Sequence, residues 1–352
     1  MSLSTDQITE PGAQTPLKPI KNRGSRPSLT STAVNQLERL GLPLMLVVLV
    51  AFFTIDGSTG ELFTSSANVR QLLSNQAVTG IVALAMLVPL TAGYFDLSVP
   101  AVAGLASITF AQLAGPAGYP AWVGLLAALA VSLLSGAITG WLVAGLRLNG
   151  FIVTLGLYTL IQGGLQYFTD GQTISSGLPD WVGSWGFETF LGLPRPFWVL
   201  VVAAVVVWYV LTHLPRGREL EGIGSNERAA HLVGINVRKD VWLAFLGSAT
   251  LAGLAGLMIT IRSGSADPAS GPAYLFPALA AVFLGATCIR PGRYNVWGTM
   301  CGVYLLAVAV NGFTFLGADS WVSPVFNGGA LILAVLVSTL MGRQRERLSG
   351  SD

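Results

Sequence analysis

Apolar runs of about 17 to 25 residues, each long enough to cross a hydrocarbon layer of about 30 Å, recur along nearly the whole chain. That repetition constrains the fold more than any motif, because a backbone in lipid must satisfy its own hydrogen bonds, as a helix does. The expected fold class is an all-α, polytopic membrane helix bundle with about ten transmembrane helices. Hydrophobic residues fill 52% of the 352 positions and charged residues 10%, so no soluble catalytic domain has room to hide.

The runs fall at residues 41–57, 74–92, 97–115, 121–146, 151–169, 196–214, 241–261, 273–289, 294–315 and 321–341. Residues 1–35 are rich in Ser, Thr, Pro, Gly and basic residues, have no apolar core, and read as a disordered cytoplasmic tail. The membrane body occupies 36–342, and 343–352 form a short cytoplasmic C-terminal tail. With ten crossings and both termini inside, sixteen of the nineteen Lys and Arg residues lie on the cytoplasmic side, and only Arg70, Arg195 and Arg262 lie outside. Removing or adding one crossing midway scrambles this positive-inside bias. Two connections are long: an outer one, 170–195, carrying Trp181, Trp185 and Phe187, and an inner one, 215–240. The tryptophans fit either an aromatic belt at the bilayer surface or a docking surface for an extracellular partner.

Several function classes drop out. A net charge of +2, with basic residues scattered at the ends of apolar runs, offers nothing to a nucleic acid. Two cysteines, Cys288 and Cys301, and two histidines, His213 and His231, suggest neither a disulfide framework nor a metal site. Lysines stand only at 18, 21 and 239, so the lysine-containing phosphate loop of an ATPase cannot be built. If ATP drives this chain, the ATPase is another polypeptide and carries the ATP and Mg; no cofactor is expected in the chain itself.

Small residues at helical spacing let helices approach closely in lipid, where no hydrophobic drive brings them together. They are Gly136 and Gly140, Gly253 and Gly256 beside Ala249 and Ala252, and Gly298 and Gly302. Asp96, in "TAGYFDLSVPAVAG", is an acidic residue between two apolar runs with no long polar loop around it. Ionisable groups at membrane depth are costly and commonly functional. Asp96 or Ser98 fits the cap of the following helix and Pro100 fits its first turn, while the same break also fits the wall of a translocation route. "GYFD" at Gly93–Asp96 has a weak counterpart in "GSAD" at Gly264–Asp267, and the two follow runs of opposite direction, as in an inverted repeat. Asn149, Thr154, Gln162, Gln166, Asn311 and Asn327 are polar residues in or near apolar runs. They fit interhelical hydrogen bonds or an uncharged, hydroxyl-rich solute, and Asn149 and Asn311 join Asp96 and Ser98 as candidates for the route.

The inner connection breaks at Pro215 and then holds "GSNERAAHLVGINV", Gly224 to Val237. Asn226 reads as an N-cap, Glu227 and Arg228 open a short helix, Ala229 and Ala230 give it a small face, and Gly234 ends it. Such a helix suits a groove on another protein; a plain helix on the membrane surface fits the composition equally.

This stretch resembles the cytoplasmic coupling-loop pattern G-x-N-x-x-A-A-x-x-x-G-I-N-V of the permease subunits of bacterial ABC sugar importers, the ribose, xylose, arabinose and galactose type. "FDLSVPAVAGL", Phe95 to Leu105, resembles that family's G-I-D-L-S-V-G segment, and "NGFIVTLGLYTLIQGG" its P-F-I-V-T-L-G-T block. The segment from Leu275 to Val303 is similar to its L-x-A-I-A-A-V-V-L-G-G-T-S block, and "NGFTFLG" to N-N-G-L-N-L-L-G. The matches keep the family's order from about residue 66 to 341.

The resemblance implies the ABC importer permease fold in a bacterial plasma membrane, doing no covalent chemistry. It implies pairing with a second copy or a sister permease, two cytoplasmic ABC ATPase subunits, and a monosaccharide received from an extracytoplasmic sugar-binding protein. It assigns Asn226, Glu227, Arg228, Ala229, Ala230 and Gly234 to the ATPase-coupling loop. Tyr94 and Phe95, Pro100, and the turn from Ile289 to Gly292 depart from the pattern, so the particular sugar is not assigned. A branched-chain amino acid permease is a rival within transport. An ion-coupled carrier is disfavoured by the missing membrane carboxylates, and a membrane enzyme by the lack of an Asp/His/Cys cluster.

Overall fold

The computed structural model describes residues 29–57 and 59–349, with side chains for 39–57 and 59–337. Contacts divide the chain into residues 1–36 and residues 37–352. The first unit contributes only the opening turns of α1 (Leu29–Ile55), and the second holds every other described element. Residues 1–28 and 350–352 of the two expected tails lie outside the described residues.

After α1 come α2 (Gly60–Thr64), α3 (Ser66–Thr91), α4 (Val99–Ala114), α5 (Ala121–Gly140), α6 (Gly150–Thr169) and α7 (Trp181–Phe187). The order continues with α8 (Arg195–His213), α9 (Pro215–Ser225), α10 (Glu227–Leu232) and α11 (Val237–Ser263). It ends with α12 (Leu275–Gly285), α13 (Val296–Phe315) and α14 (Val322–Ser349). Among the described residues, β pairing is confined to a hairpin of two-residue strands in the outer connection, Thr189–Phe190 against Leu193–Pro194, and an isolated bridge between Ile174 and Ala266.

Among the described residues, six helices are long and apolar enough to cross a membrane: α3, α5 with its π-helical continuation to Gly145, α6, α8, α11 and α13. Four further apolar stretches, Arg39–Ile55, Val99–Ala114, Pro272–Gly285 and Val322–Val337, fall below that length. Each expected run therefore corresponds to an apolar helix, and two of the short ones have an evident cause. The 16 residues of α4 and the 11 of α12 rise only about 24 Å and about 17 Å, because α4 starts after a break in the chain and α12 gives way to a turn at Ala286, short of the end of its apolar run.

The centre of the bundle is formed by α3 and α11, whose most apolar windows are both 72% buried, against 11% for α6 at the margin. Packing directions are fixed by the small residues. A Cβ on Gly256 of α11 would lie 2.2 Å from the Ala103 carbonyl oxygen of α4, so no side chain separates the two backbones. The Ser107 and Thr260 hydroxyls share a hydrogen bond of 2.7 Å one turn further along both helices, which makes α4 parallel to α11. On the other side Ser132 meets Gly253, Gly136 meets Ala249 and Gly140 meets Phe245, a descending register that makes α5 antiparallel to α11. The same close approach joins α12 to α13 through Gly285 and Gly298 and through Ala281 and Gly302.

Candidate coupling and translocation site

The chain leaves α3 just after Pro89, where the Ala92 N–H turns back to the Pro89 carbonyl and Gly93 takes a φ of +84° that a side chain resists. Asp96 follows in a segment without regular structure and is buried. One carboxylate oxygen accepts the Ser98 backbone N–H at 3.1 Å and the Ser98 hydroxyl at 2.6 Å; the other accepts the Ser248 hydroxyl of α11 at 2.9 Å. Neither side chain caps α4: the Ser98 hydroxyl donates to Asp96 and accepts no helix N–H, and Asp96 accepts from Ser98, which precedes the helix, while Pro100 does occupy the first turn of α4. The carboxylate thus fastens the head of α4 to the middle of α11, and three donors satisfy a buried acceptor with no cation among them.

A second break mirrors the first. α11 ends at Gly264 with φ +66°, and Asp267 accepts the backbone N–H two residues on, from Ala269 at 2.7 Å, as Asp96 does from Ser98. The two breaks touch: a Cβ on Gly271 would lie 2.3 Å from the Pro100 carbonyl oxygen. Phe95 also stacks on Phe283 of α12, with ring centroids 6.1 Å apart.

Each long connection sits on one break. In the inner connection, a Cβ on Gly224 would lie 2.3 Å from the Thr91 carbonyl oxygen, and the Tyr94 hydroxyl donates to the Glu227 carboxylate at 3.2 Å. Burial, and then the charge of Glu227, push the Tyr94 hydroxyl up to about 12, so it remains a donor at any physiological pH. In the outer connection, Ile174 and Ala266 exchange two backbone hydrogen bonds of 2.9 Å, and Gly183 lies against the Gly264 backbone. Trp185 lies under the Arg195 guanidinium, 5.7 Å from the ring centroid, and Arg195 is ion-paired with Glu188.

The expected coupling helix is present as α10. The Asn226 side chain accepts the Ala229 N–H at 3.0 Å, and Gly234 ends the turn with φ +89°. Its presumed smooth face is corrected: Ala230 is buried against the body, so Ala229 and Ala230 do not share an outward surface. What faces outward is Arg228, Ala229 and His231, with Leu232 and Val233 at 85% and 77% exposure. The charged run after Pro215 is itself the helix α9, tied to the turn before α13 by the pair Arg293–Glu221 at 3.1 Å.

The four candidates for a route do not form one cluster. Asp96 and Ser98 are together at the first break. Asn149 is the exposed N-cap of α6, accepting from the Phe151 and Ile152 N–H groups, and Gly150 beside it lies against Tyr94 and Phe95. Asn311 lies elsewhere, in a reciprocal amide pair with Asn68 at 3.0 and 3.1 Å. Ser248 and Leu232 carried no sequence signal strong enough to single them out, whereas Tyr94 stood out as a departure from a family pattern.

Comparison with known proteins places this geometry in a family. The family model described as "Branched-chain amino acid transport system / permease component" matches residues 68–336. The chain is 34% identical over 296 residues to the ribose import permease protein RbsC of Escherichia coli strain K12, covering 83% of this chain and 92% of that one. It is 33% identical over 306 residues to RbsC of Bacillus subtilis strain 168, covering 86% and 92%. It is 27% identical over 306 residues to the D-allose transport system permease protein AlsC of E. coli K12, covering 87% and 93%. No solved structure matches. The matched span contains both helix breaks and both loops seated on them, and the chain belongs to this family of ABC transporter permease components, as a membrane-embedded transport subunit and not an enzyme.

Proposed function

We infer that this chain is the translocating subunit of an ATP-driven importer for a monosaccharide of the pentose or hexose class, delivered by an extracytoplasmic binding protein. It works with a second copy or a sister permease and two cytoplasmic ATPase subunits, spans the membrane ten times and keeps both termini in the cytoplasm. The observation that carries the mechanism is the Tyr94–Glu227 bond beside the Gly224–Thr91 contact, which joins the inner loop directly to the break at Asp96. A partner that grips α10 therefore pulls on the point where α3, α4 and α11 are fastened together. ATP binding closes the ATPase pair, α9 and α10 move with it, and the break shifts between two packings of the bundle. The parallel run of α4 and the antiparallel run of α5 against α11 support an alternating in-and-out path. The names of the relatives, permeases for ribose and D-allose, support the sugar class.

The test is purification of the chain from its native membranes in mild detergent, with partners counted by mass spectrometry, followed by uptake of labelled sugars. A stoichiometric ATPase and accumulation of a pentose or hexose are expected. Recovery of the chain alone in a form that still transports would refute the ABC mechanism. A second reading, import of a branched-chain amino acid, is favoured by the description of the family model; competition by L-leucine and not by sugars would select it.

A further inference from the structure

A cavity of about 300 Å³ opens between α3, the start of α12, α13 and α14, well away from Asp96. Five carboxamides converge on it from three helices: Gln71, Asn75 and Gln76 from α3, Asn311 from α13 and Asn327 from α14. The buried, hydroxyl-bearing Thr79 also lines it and lies five residues into the apolar run that begins at 74, about 8 Å along the helix axis. Polar groups past the membrane surface do not face lipid without cost, so this end of the wall belongs to protein or to a solute.

The hydrogen-bond state of the five amides separates structure from recognition. Asn311 is held by Asn68, and the Asn75 carbonyl takes a hydrogen bond of 2.6 Å from Arg262. Gln71, Gln76 and Asn327 make no side-chain hydrogen bond among the described residues, which leaves three carbonyl acceptors and three NH2 groups uncommitted on residues of the lining. Leu306 and Val310 supply an apolar strip on the α13 side. Among the described residues no Asp, Glu, Lys or Arg lines the cavity; the Arg262 guanidinium stands behind Asn75, and no carboxylate on the lining meets the ammonium of an amino acid.

We propose that this cavity is a binding subsite for one neutral monosaccharide, with Gln71, Gln76 and Asn327 as the groups that bind its hydroxyls. The proposal rests on the sugar-import reading and adds to it a site within a single permease chain. Paired donors and acceptors of carboxamides match vicinal hydroxyls, the apolar strip matches the C–H face of the ring, and the volume is at the small end for ligand sites, about 300–1,000 Å³. Seating in this cavity gives the released sugar a place on the side of the bundle shared by the start of α3 and the end of α13.

The test is protection of a thiol in the full chain in native membranes. Ser323→Cys, on the lining but outside the three binding groups, is alkylated with a maleimide in the presence of D-ribose, D-xylose, D-allose or L-leucine, and the labelling of the parent, which carries Cys288 and Cys301, is subtracted. A site with a Kd of about 1 mM slows the reaction about tenfold at about 10 mM sugar. The lipid-facing control Val202→Cys is unaffected. Protection by at least one sugar and none by L-leucine is expected. If no sugar protects although cells carrying the parent importer accumulate one, the subsite is wrong and the sugar reading stands. If the parent accumulates no sugar, the sugar reading itself fails; protection by L-leucine alone would make the cavity an amino acid site. Thr314→Cys, on the same lining, replaces Ser323→Cys if the latter does not assemble. Gln76→Leu supplies a second readout: it changes the ratio of pentose to hexose uptake at least about threefold, as loss of one hydroxyl contact worth about 1 kcal/mol would do. An equal fall for every sugar would point to a structural role and overturn the assignment.

Discussion

Replacing Asp96 with Ala removes one acceptor shared by three donors: the Ser98 N–H, the Ser98 hydroxyl and the Ser248 hydroxyl. Both serines are buried, so water does not replace what is lost. Hydrogen bonds to a charged group contribute about 1.5–3 kcal/mol each, for a gross loss of about 4–9 kcal/mol. The Ser248 hydroxyl is in a helix and can turn back to the carbonyl one turn earlier, which recovers part of its share. Ser98 precedes its helix and has no such carbonyl, so its two hydrogens are left orphaned. The net expectation is about 3–5 kcal/mol for Asp96→Ala, at the top of the range for a point substitution. Asp96→Asn keeps one carbonyl oxygen for both Ser98 hydrogens and presents an NH2 to the Ser248 oxygen, so about 1 kcal/mol is lost. The assay is denaturant unfolding of the purified chain in lipid nanodiscs, with sugar uptake measured in parallel. A double-mutant cycle with Ser248→Ala should give a coupling of about 1.5 kcal/mol, within the range for groups in direct contact. Additivity of Asp96→Ala and Ser248→Ala within about 0.5 kcal/mol, or an Asn variant as unstable as the Ala variant, would refute the role of the carboxylate as a fastening between α4 and α11.

Tyr94→Phe removes the bond to Glu227 at little cost in stability, about 1 kcal/mol or less, and is expected to lower uptake per ATP hydrolysed; unchanged coupling would remove this bond from the transmission path. The Tyr94 hydroxyl is raised from 10.0 to about 12, so its contribution is complete below pH 10 and lost only as pH rises through the folded value; coupling should not change through this group between about pH 6 and 9, and a midpoint inside that window in the parent but not in Tyr94→Phe would contradict it. Leu232→Ser, at a site 85% exposed, should leave unfolding within about 0.5 kcal/mol of the parent while weakening retention of the ATPase by about tenfold or more, as for an interface anchor of about 1.4 kcal/mol; full retention in a pull-down would show that the outward face of α10 is not where the ATPase binds. Gly271→Ala places a Cβ 2.3 Å from the Pro100 carbonyl oxygen, so the breaks must part by about 1 Å at a cost of about 1–3 kcal/mol; a stability equal to the parent's, read by the same unfolding assay, would mean that the breaks are not in firm contact.

Much of the architecture was legible because lipid leaves the chain few options. Apolar length located an apolar helix in every expected run, and the glycine spacings of α5, α11 and α13 identified the faces that meet. The shortness of α12 was not legible, since hydropathy continues through the residues where the helix has already ended, as at Cys288. Helix α9 was not legible in the charged segment from Pro215, where polarity masks helical propensity. Capping chemistry was legible at Asn226 and Gly234, where local geometry alone decides. Ala230 was misplaced because six residues of helix carry too little periodicity to tell an inner face from an outer one. Ser248 lay beyond reach altogether: its partner is 152 positions away, and one serine in an apolar helix looks like any other.

The links across the two breaks are individually weak, and that property suits a part that has to change state. Moving a two-state equilibrium from 1:99 to 99:1 requires a difference in binding of about 5.5 kcal/mol. A rigid, fully packed junction between α3, α4 and α11 would resist such a ligand. Here the connection from α10 to the first break is one hydroxyl–carboxylate bond and one backbone contact at a glycine, and the break is held by three hydrogen bonds to a single carboxylate. Each contributes on the order of 1–3 kcal/mol, so the free energy that shifts the equilibrium is comparable to a few of these links and far below the burial energy of the helices themselves. The bundle can therefore keep α3 and α11 as a fixed centre while the breaks exchange partners around it. The outer loop, seated on the second break by two backbone hydrogen bonds, meets the same condition from the opposite end, and the Gly271–Pro100 contact joins the two junctions.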